Sequence, residues 1–62
     1  MAGCVAQTYQ SFAQNALASG HLDAAADDVQ TALAHDPDNP GAKKLAAEIF
    51  TRRGVQYYQM GA

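Results

Sequence analysis

Cysteine occurs once in the sequence, at Cys4, which excludes an internal disulfide and most cysteine-based metal sites and leaves the redox compartment undetermined. No stretch approaches the roughly 18–20 continuous apolar residues of a membrane helix. No charged segment leads into an apolar one as in an intact secretory signal, so the chain as given is expected to be soluble. Large apolar side chains are also scarce. Of 62 residues, 48% count as hydrophobic, but much of that is alanine. Alanine contributes far less on burial than the roughly 1.5–3 kcal/mol of a Leu, Ile or Phe. A chain of this length hides only about 60% of its unfolded surface. The expected core is thin, with marginal stability alone or stabilisation by a partner.

The constellations of catalysis are missing too. There is no serine-histidine-acid set, no phosphate-cradling glycine loop and no CxxC, so the chain is not expected to be an enzyme or to carry a cofactor. His21 and His35 have no further ligands spaced to converge on them. His35 falls near a helix C-terminus. Asp27-Asp28 point in different directions on a helix, and Asp36-Pro37-Asp38-Asn39 lacks the glycine and terminal glutamate of a calcium loop. Solvated charge and capping account for both.

The formal charge of −2 gives no reason to expect nucleic acid or an anionic membrane as a general ligand. Its distribution is uneven. Asp23, Asp27, Asp28, Asp36 and Asp38 precede residue 40, whereas Lys43, Lys44, Arg52 and Arg53 follow it.

Three amphipathic segments account for most of the chain. Val5, Tyr9, Phe12, Ala13 and Ala16 mark one helical face, and Gly20 stands at the position where a helix turns off through left-handed φ. Leu22, Ala25, Ala26, Val29, Ala32 and Leu33 mark a second stripe. Asp23 and Asp27 lie in its early turns, and it ends before Pro37. Asn39-Pro40 supplies an N-cap and a first-turn proline for a third stripe, Ala42, Leu45, Ala46, Ile49 and Phe50, which Gly54 is expected to terminate. On its exposed side Lys44, Glu48 and Arg52 alternate in charge at i, i+4. These signals predict helices over 5–19, 22–35 and 40–53, antiparallel because the connections are short. The remainder, 55–62, is too short to nucleate alone and is expected to dock or fray.

Gly20 and Gly54 stand 34 positions apart, and the helices they follow share a pattern: Phe12-Ala13 is matched by Ala46-Ala47, and Ala16 by Phe50. Two helices in a 34-residue period is the tetratricopeptide period. On these residues the chain resembles the tetratricopeptide repeat family over about residues 6–54, roughly one and a half repeats. Tyr9 stands at the family's large aromatic position, Phe12 at its leucine and Ala13 at its small residue. Ala16 falls where the family often has tyrosine, and Gly20 is the turn glycine. Ala25, Val29 and Ala32 match the small, large and small positions of the second helix. Pro37 closes the unit, and 36–40 looks like the inter-repeat linker. The second unit keeps Ala47 and Gly54 but departs at Lys43, where the aromatic belongs, and at Gln59, where a small residue belongs.

The resemblance implies an all-α fold of α-solenoid type, a helix-turn-helix with a third helix that caps it or begins the next repeat. The whole of 1–62 reads as one domain: 6–39 a repeat, 40–54 the first helix of a second, and 55–62 a tail. Alanine at Ala13, Ala25 and Ala32 permits close helix axes, with Tyr9, Phe12, Val29 and Leu33 filling the gaps between them. Such repeats stack, and about three are usually needed for stability, so a fragment, an oligomer or a subunit held by neighbours is expected.

The family's concave surface falls here on Gln7, Gln10, Gln14 and Leu17, then Lys44, Glu48, Thr51 and Arg52. Amide side chains both donate and accept, which suits a peptide backbone, although exposed helix formers would look the same. Gln10 and Gln14 replace the lysine and asparagine with which some members clamp a peptide carboxylate, so that role is not implied. The expected function is a protein-interaction module that supports a larger complex, its protein or peptide partner unidentified. The alternative is a structural subunit that stacks on itself or on neighbouring repeats. Val55, Tyr57, Tyr58 and Met60 form an apolar tail suited to such contact. Ala2-Gly3-Cys4 resembles the end of a bacterial lipoprotein signal, in which the cysteine is lipidated, and tetratricopeptide lipoproteins serve pilus and secretion assembly. Met1 stands where the apolar leader would be, so either a leader has been removed or the match is chance. Localisation is accordingly cytoplasmic or, with Cys4 lipidated, at the periplasmic face of a bacterial membrane.

Overall fold

In a computed structural model of the chain, which describes residues 2–61 and the side chains from residue 5 onward, three helices follow one another. They are α1 (Ala2–Ala18), α2 (Leu22–His35) and α3 (Pro40–Gln59), and no strand occurs among the described residues. The all-α class expected from the three stripes is therefore present. Cys4 falls in α1, but its side chain, and with it the lipidation expectation, lies outside the described residues.

Each connection follows from local chemistry. Gly20 adopts φ +79°. Its N–H donates to the Leu17 carbonyl at 3.1 Å and that of His21 to the Ala16 carbonyl at 2.9 Å, the paired bonds of a Schellman closure. A glycine is favoured there because a Cβ would crowd the backbone at that φ. Between α2 and α3 the Asn39 N–H donates to the Asp36 carbonyl at 3.2 Å, closing a turn with Pro37 at its second position. The Asn39 side-chain oxygen then accepts from the backbone N–H of Gly41 at 3.0 Å and of Ala42 at 3.3 Å, capping α3 as expected.

The core is one cluster drawn from all three helices: Ala13, Leu17, Ala25, Ala26, Val29, Ala32, Ala42, Leu45, Ala46 and Ile49. Six of these ten are alanines, so the helices approach closely and the apolar mass is small. Val29 and Ile49 are the largest side chains buried completely. The pair α1–α2 is the more extensive contact, α3 lies on α2, and α1 meets α3 only narrowly.

Five expectations are corrected. Gly54 does not end α3, which runs on to Gln59; the left-handed glycine is Gly61, at φ +76°. Residues 55–59 need no nucleus of their own, because propagating a helix already capped and packed costs less than starting one. Phe12 does not fill the helix–helix gap but is 50% exposed, and Ala6, Ala13 and Leu17, on the adjoining stripe, are the buried residues of α1 instead. Phe50 is likewise 41% exposed, with Ala42, Leu45, Ala46 and Ile49 taking the contact. Leu17, expected on the open surface, is only 9% exposed and belongs to the core, four residues after Ala13 on the same face.

Candidate interaction surface

Where α1 meets α3 they leave an open depression of about 300 Å³. Its lining is Gln10 and Gln14 from α1 with Gly41, Lys44, Leu45 and Glu48 from α3. Spacings of three and four place the α3 residues on one flank of that helix, and spacing of four does the same for the two glutamines. Four residues expected on the concave surface thus come together here: Gln10, Gln14, Lys44 and Glu48. Gln7 and Thr51 are exposed but do not line the depression. Arg52 sits one turn beyond Glu48 and is bound to it, Nη2 to Oε1 at 2.9 Å.

Gln10 is tied to the start of α3. Its Oε1 accepts from Asn39 Nδ2 at 3.1 Å, so one asparagine caps α3 with its oxygen and holds α1 with its nitrogen. Gly41 leaves room for the Gln10 amide in this position, since a Cβ there would stand 2.7 Å from Gln10 Nε2 and displace it. Gly41, Leu45 and Asn39 were not identified from sequence as part of this surface, Leu45 being expected only in the core and Asn39 only as a cap. The available signal was that Gly41 and Leu45 continue the Lys44/Glu48 flank at helical spacing.

The electrostatics of the depression are simple. Glu48 is offset by Arg52, while Lys44 has no ion-pair partner among the described residues. Lys43 points elsewhere, 4.0 Å from Asp38. The surface therefore presents amides, one uncompensated ammonium and a small apolar floor from Leu45. Among the described residues no three His, Cys, Asp or Glu side chains converge as metal ligands, and no helix is long and apolar enough to cross a membrane.

A second feature lies at the far end of α3. With 20 residues against 14 in α2, α3 is about 9 Å longer at 1.5 Å per residue. Of the expected tail residues, Val55, Tyr57 and Tyr58 sit on this overhang as helix and Met60 at its C-cap, and all are exposed: Val55 and Tyr57 by about half, Tyr58 by 86% and Met60 by 71%. Arg53 fixes its base. Arg53 Nε stands 3.0 Å from Asp23 Oδ1 at the start of α2, a charge contact whose N–H direction is too poor for a hydrogen bond. Arg53 Nη2 donates to the Tyr57 hydroxyl at 3.4 Å, and the guanidinium lies 5.7 Å from the Tyr57 ring centre. The Tyr57 hydrogen bond above all, with the Tyr57 and Asp23 charges, holds the guanidinium above the ordinary arginine pKa despite some desolvation.

Compared with protein-family models, curated proteins and solved structures, the chain matches none.

Proposed function

We propose that this chain is a protein-interaction module whose α1–α3 depression receives an extended or helical segment of a partner protein and so supports a larger assembly. The observation that carries the reading is the convergence of Gln10, Gln14, Lys44 and Glu48, on helices far apart in sequence, around one open depression. The tetratricopeptide resemblance, which implies a concave surface at these positions, supports the same reading. Amide pairs satisfy a peptide backbone without fixing its sequence. Lys44 favours a segment with an acidic residue or a free carboxylate, an exposed pair worth about 0.2–1 kcal/mol. Arg52, also expected on the concave surface, is already engaged by Glu48, so Lys44 acts alone. Affinity is then modest and salt-sensitive, with specificity from amide contacts and shape.

The test is selection of binders from a random peptide library, followed by titration of wild type and of Gln10→Ala/Gln14→Ala/Lys44→Ala. The expected result is that selected peptides are enriched in acidic residues and that the triple variant binds them about tenfold or more weakly, about 1.4 kcal/mol. Peptides that bind wild type and triple variant equally, and lose binding when α3 is cut after Gly54, would place the site on the overhang instead.

A further inference from the structure

All ten formally charged residues lie between Asp23 and Arg53. The segments on either side carry none: α1 over its whole length, and α3 beyond Arg53. A helix that simply faces water usually carries charged residues on its outer side. Both segments instead leave large apolar side chains uncovered. On α1 these are Val5 and Phe12, with the Tyr9 ring set edge-on to Phe12 at 5.7 Å. On the overhang they are Val55, Tyr58 and Met60. Depletion of charge with enrichment of Tyr, Phe and Met is the composition of the desolvated centre of a protein interface.

We infer that these two segments are the two halves of one self-association contact, in which the overhang of α3 docks along the Val5–Phe12 strip of α1 in a second copy of the chain. Charge selects this pairing over the alternatives. Before residue 39 the chain has five aspartates and no cation; after it, four cations and one glutamate. The docking faces themselves are uncharged, so the selection acts through the bodies that carry them. Overhang against overhang would bring together two α3 helices with four cations and one glutamate each, and the α1–α2 hairpin against another hairpin two bodies whose only charged residues are aspartates. Overhang against hairpin joins unlike charge. The lengths also agree: the overhang and the span from Val5 to Phe12 are each about 9–11 Å at 1.5 Å per residue. Arg53, bridging Asp23 and Tyr57, holds the base of the overhang in its projecting direction, so less order has to be gained on docking. Phe12 and Gln14 lie about 200° apart around α1, which leaves the depression on the other flank open. The second copy and a partner peptide therefore do not compete.

Two single-face variants test the pairing: Phe12→Glu, which spoils the strip, and Tyr58→Glu, which spoils the overhang. Sedimentation velocity is run on the full chain with reductant present, so that Cys4 cannot cross-link, over roughly 10 μM to 1 mM, the range suited to a small interface. Wild type is expected to gain mass with concentration. Each variant alone is expected to lose association by about tenfold or more, as for truncation of an interface anchor. An equimolar mixture of the two is expected to regain it, because one supplies an intact overhang and the other an intact strip. Far-ultraviolet circular dichroism checks the fold, and Phe12→Gln and Tyr58→Gln serve if either glutamate variant loses helix. A wild type that stays monomeric throughout overturns the inference. So does a Phe12→Glu variant that associates alone as well as wild type, or a mixture of folded variants that stays monomeric.

Discussion

Gly20 and Gly54 occupy matching places 34 residues apart, each following an alanine-rich amphipathic segment, yet they behave differently. Gly20 turns the chain at φ +79°, whereas Gly54 stays inside α3. The alanines seven residues before them diverge in the same way: Ala13 is completely buried under α2, while Ala47 is exposed. What differs is the sequence that follows. After Gly20 comes a helix whose Ala25, Ala26, Val29 and Ala32 bury against the rest. After Gly54 residues 55–59 continue the helix and stay exposed rather than packing on another element, so nothing in the structure rewards a turn and propagation wins. A glycine permits a helix to end; a partner helix decides whether it does.

The largest way to break this comparison is at the packing of α3 on α2. Ile49→Ala removes one of the two largest fully buried side chains and should cost about 2–5 kcal/mol. For a core this thin, urea unfolding is expected to lose its cooperative transition, whereas Phe50→Ala, at a half-exposed position, should shift the midpoint much less. Equal shifts would mean that α3 packs on a different face. The two glycines provide the sharper form. Gly20→Ala forces a left-handed alanine and should destabilise by about 1–2 kcal/mol. Gly54→Ala, where an added Cβ meets nothing within 4 Å, should stabilise by about 0.5–1 kcal/mol through helix propensity. Thermal melts of both that moved in the same direction would erase the difference between the two positions. Asn39→Ala should cost about 1 kcal/mol as a lost cap. It should also free Gln10, seen as a shift of the Gln10 side-chain amide resonance in a nitrogen–proton spectrum.

Much of this fold was legible because the signals were local. The Gly20 closure, the Pro37 turn and the Asn39-Pro40 cap each depend on residues within one turn of one another, and all stand where the spacing placed them. Ala25, Val29, Ala32, Leu45 and Ile49 were legible as core from periodicity alone. Phe12 and Leu17 were not. An aromatic stripe one residue to the side of a small-residue stripe offers two candidate faces, and only the close approach of α2 selects Ala13 and Leu17. The length of α3 was illegible for the reason the glycines diverge: the outcome depends on whether the residues after the glycine pack against a partner helix, not on Gly54 itself. The depression was half legible. Helical spacing identified Gln10, Gln14, Lys44 and Glu48, but the Asn39–Gln10 bond and the clearance at Gly41 depend on two helices meeting.

The central claim is that the hairpin satisfies its own core while the charge-free flank of α1 and the overhang of α3 are left for other molecules. Residue-resolved amide hydrogen exchange tests it most directly, because it reads local opening in each segment separately. In dilute solution the amides of Val29 and Ala32 should exchange only with global unfolding, and those of Tyr58–Met60 far faster. Raising the protein concentration should slow exchange at the overhang and along α1 around Val5–Phe12. Overhang amides as protected as Val29 in the dilute monomer, or protection of both segments unchanged by concentration, would contradict it.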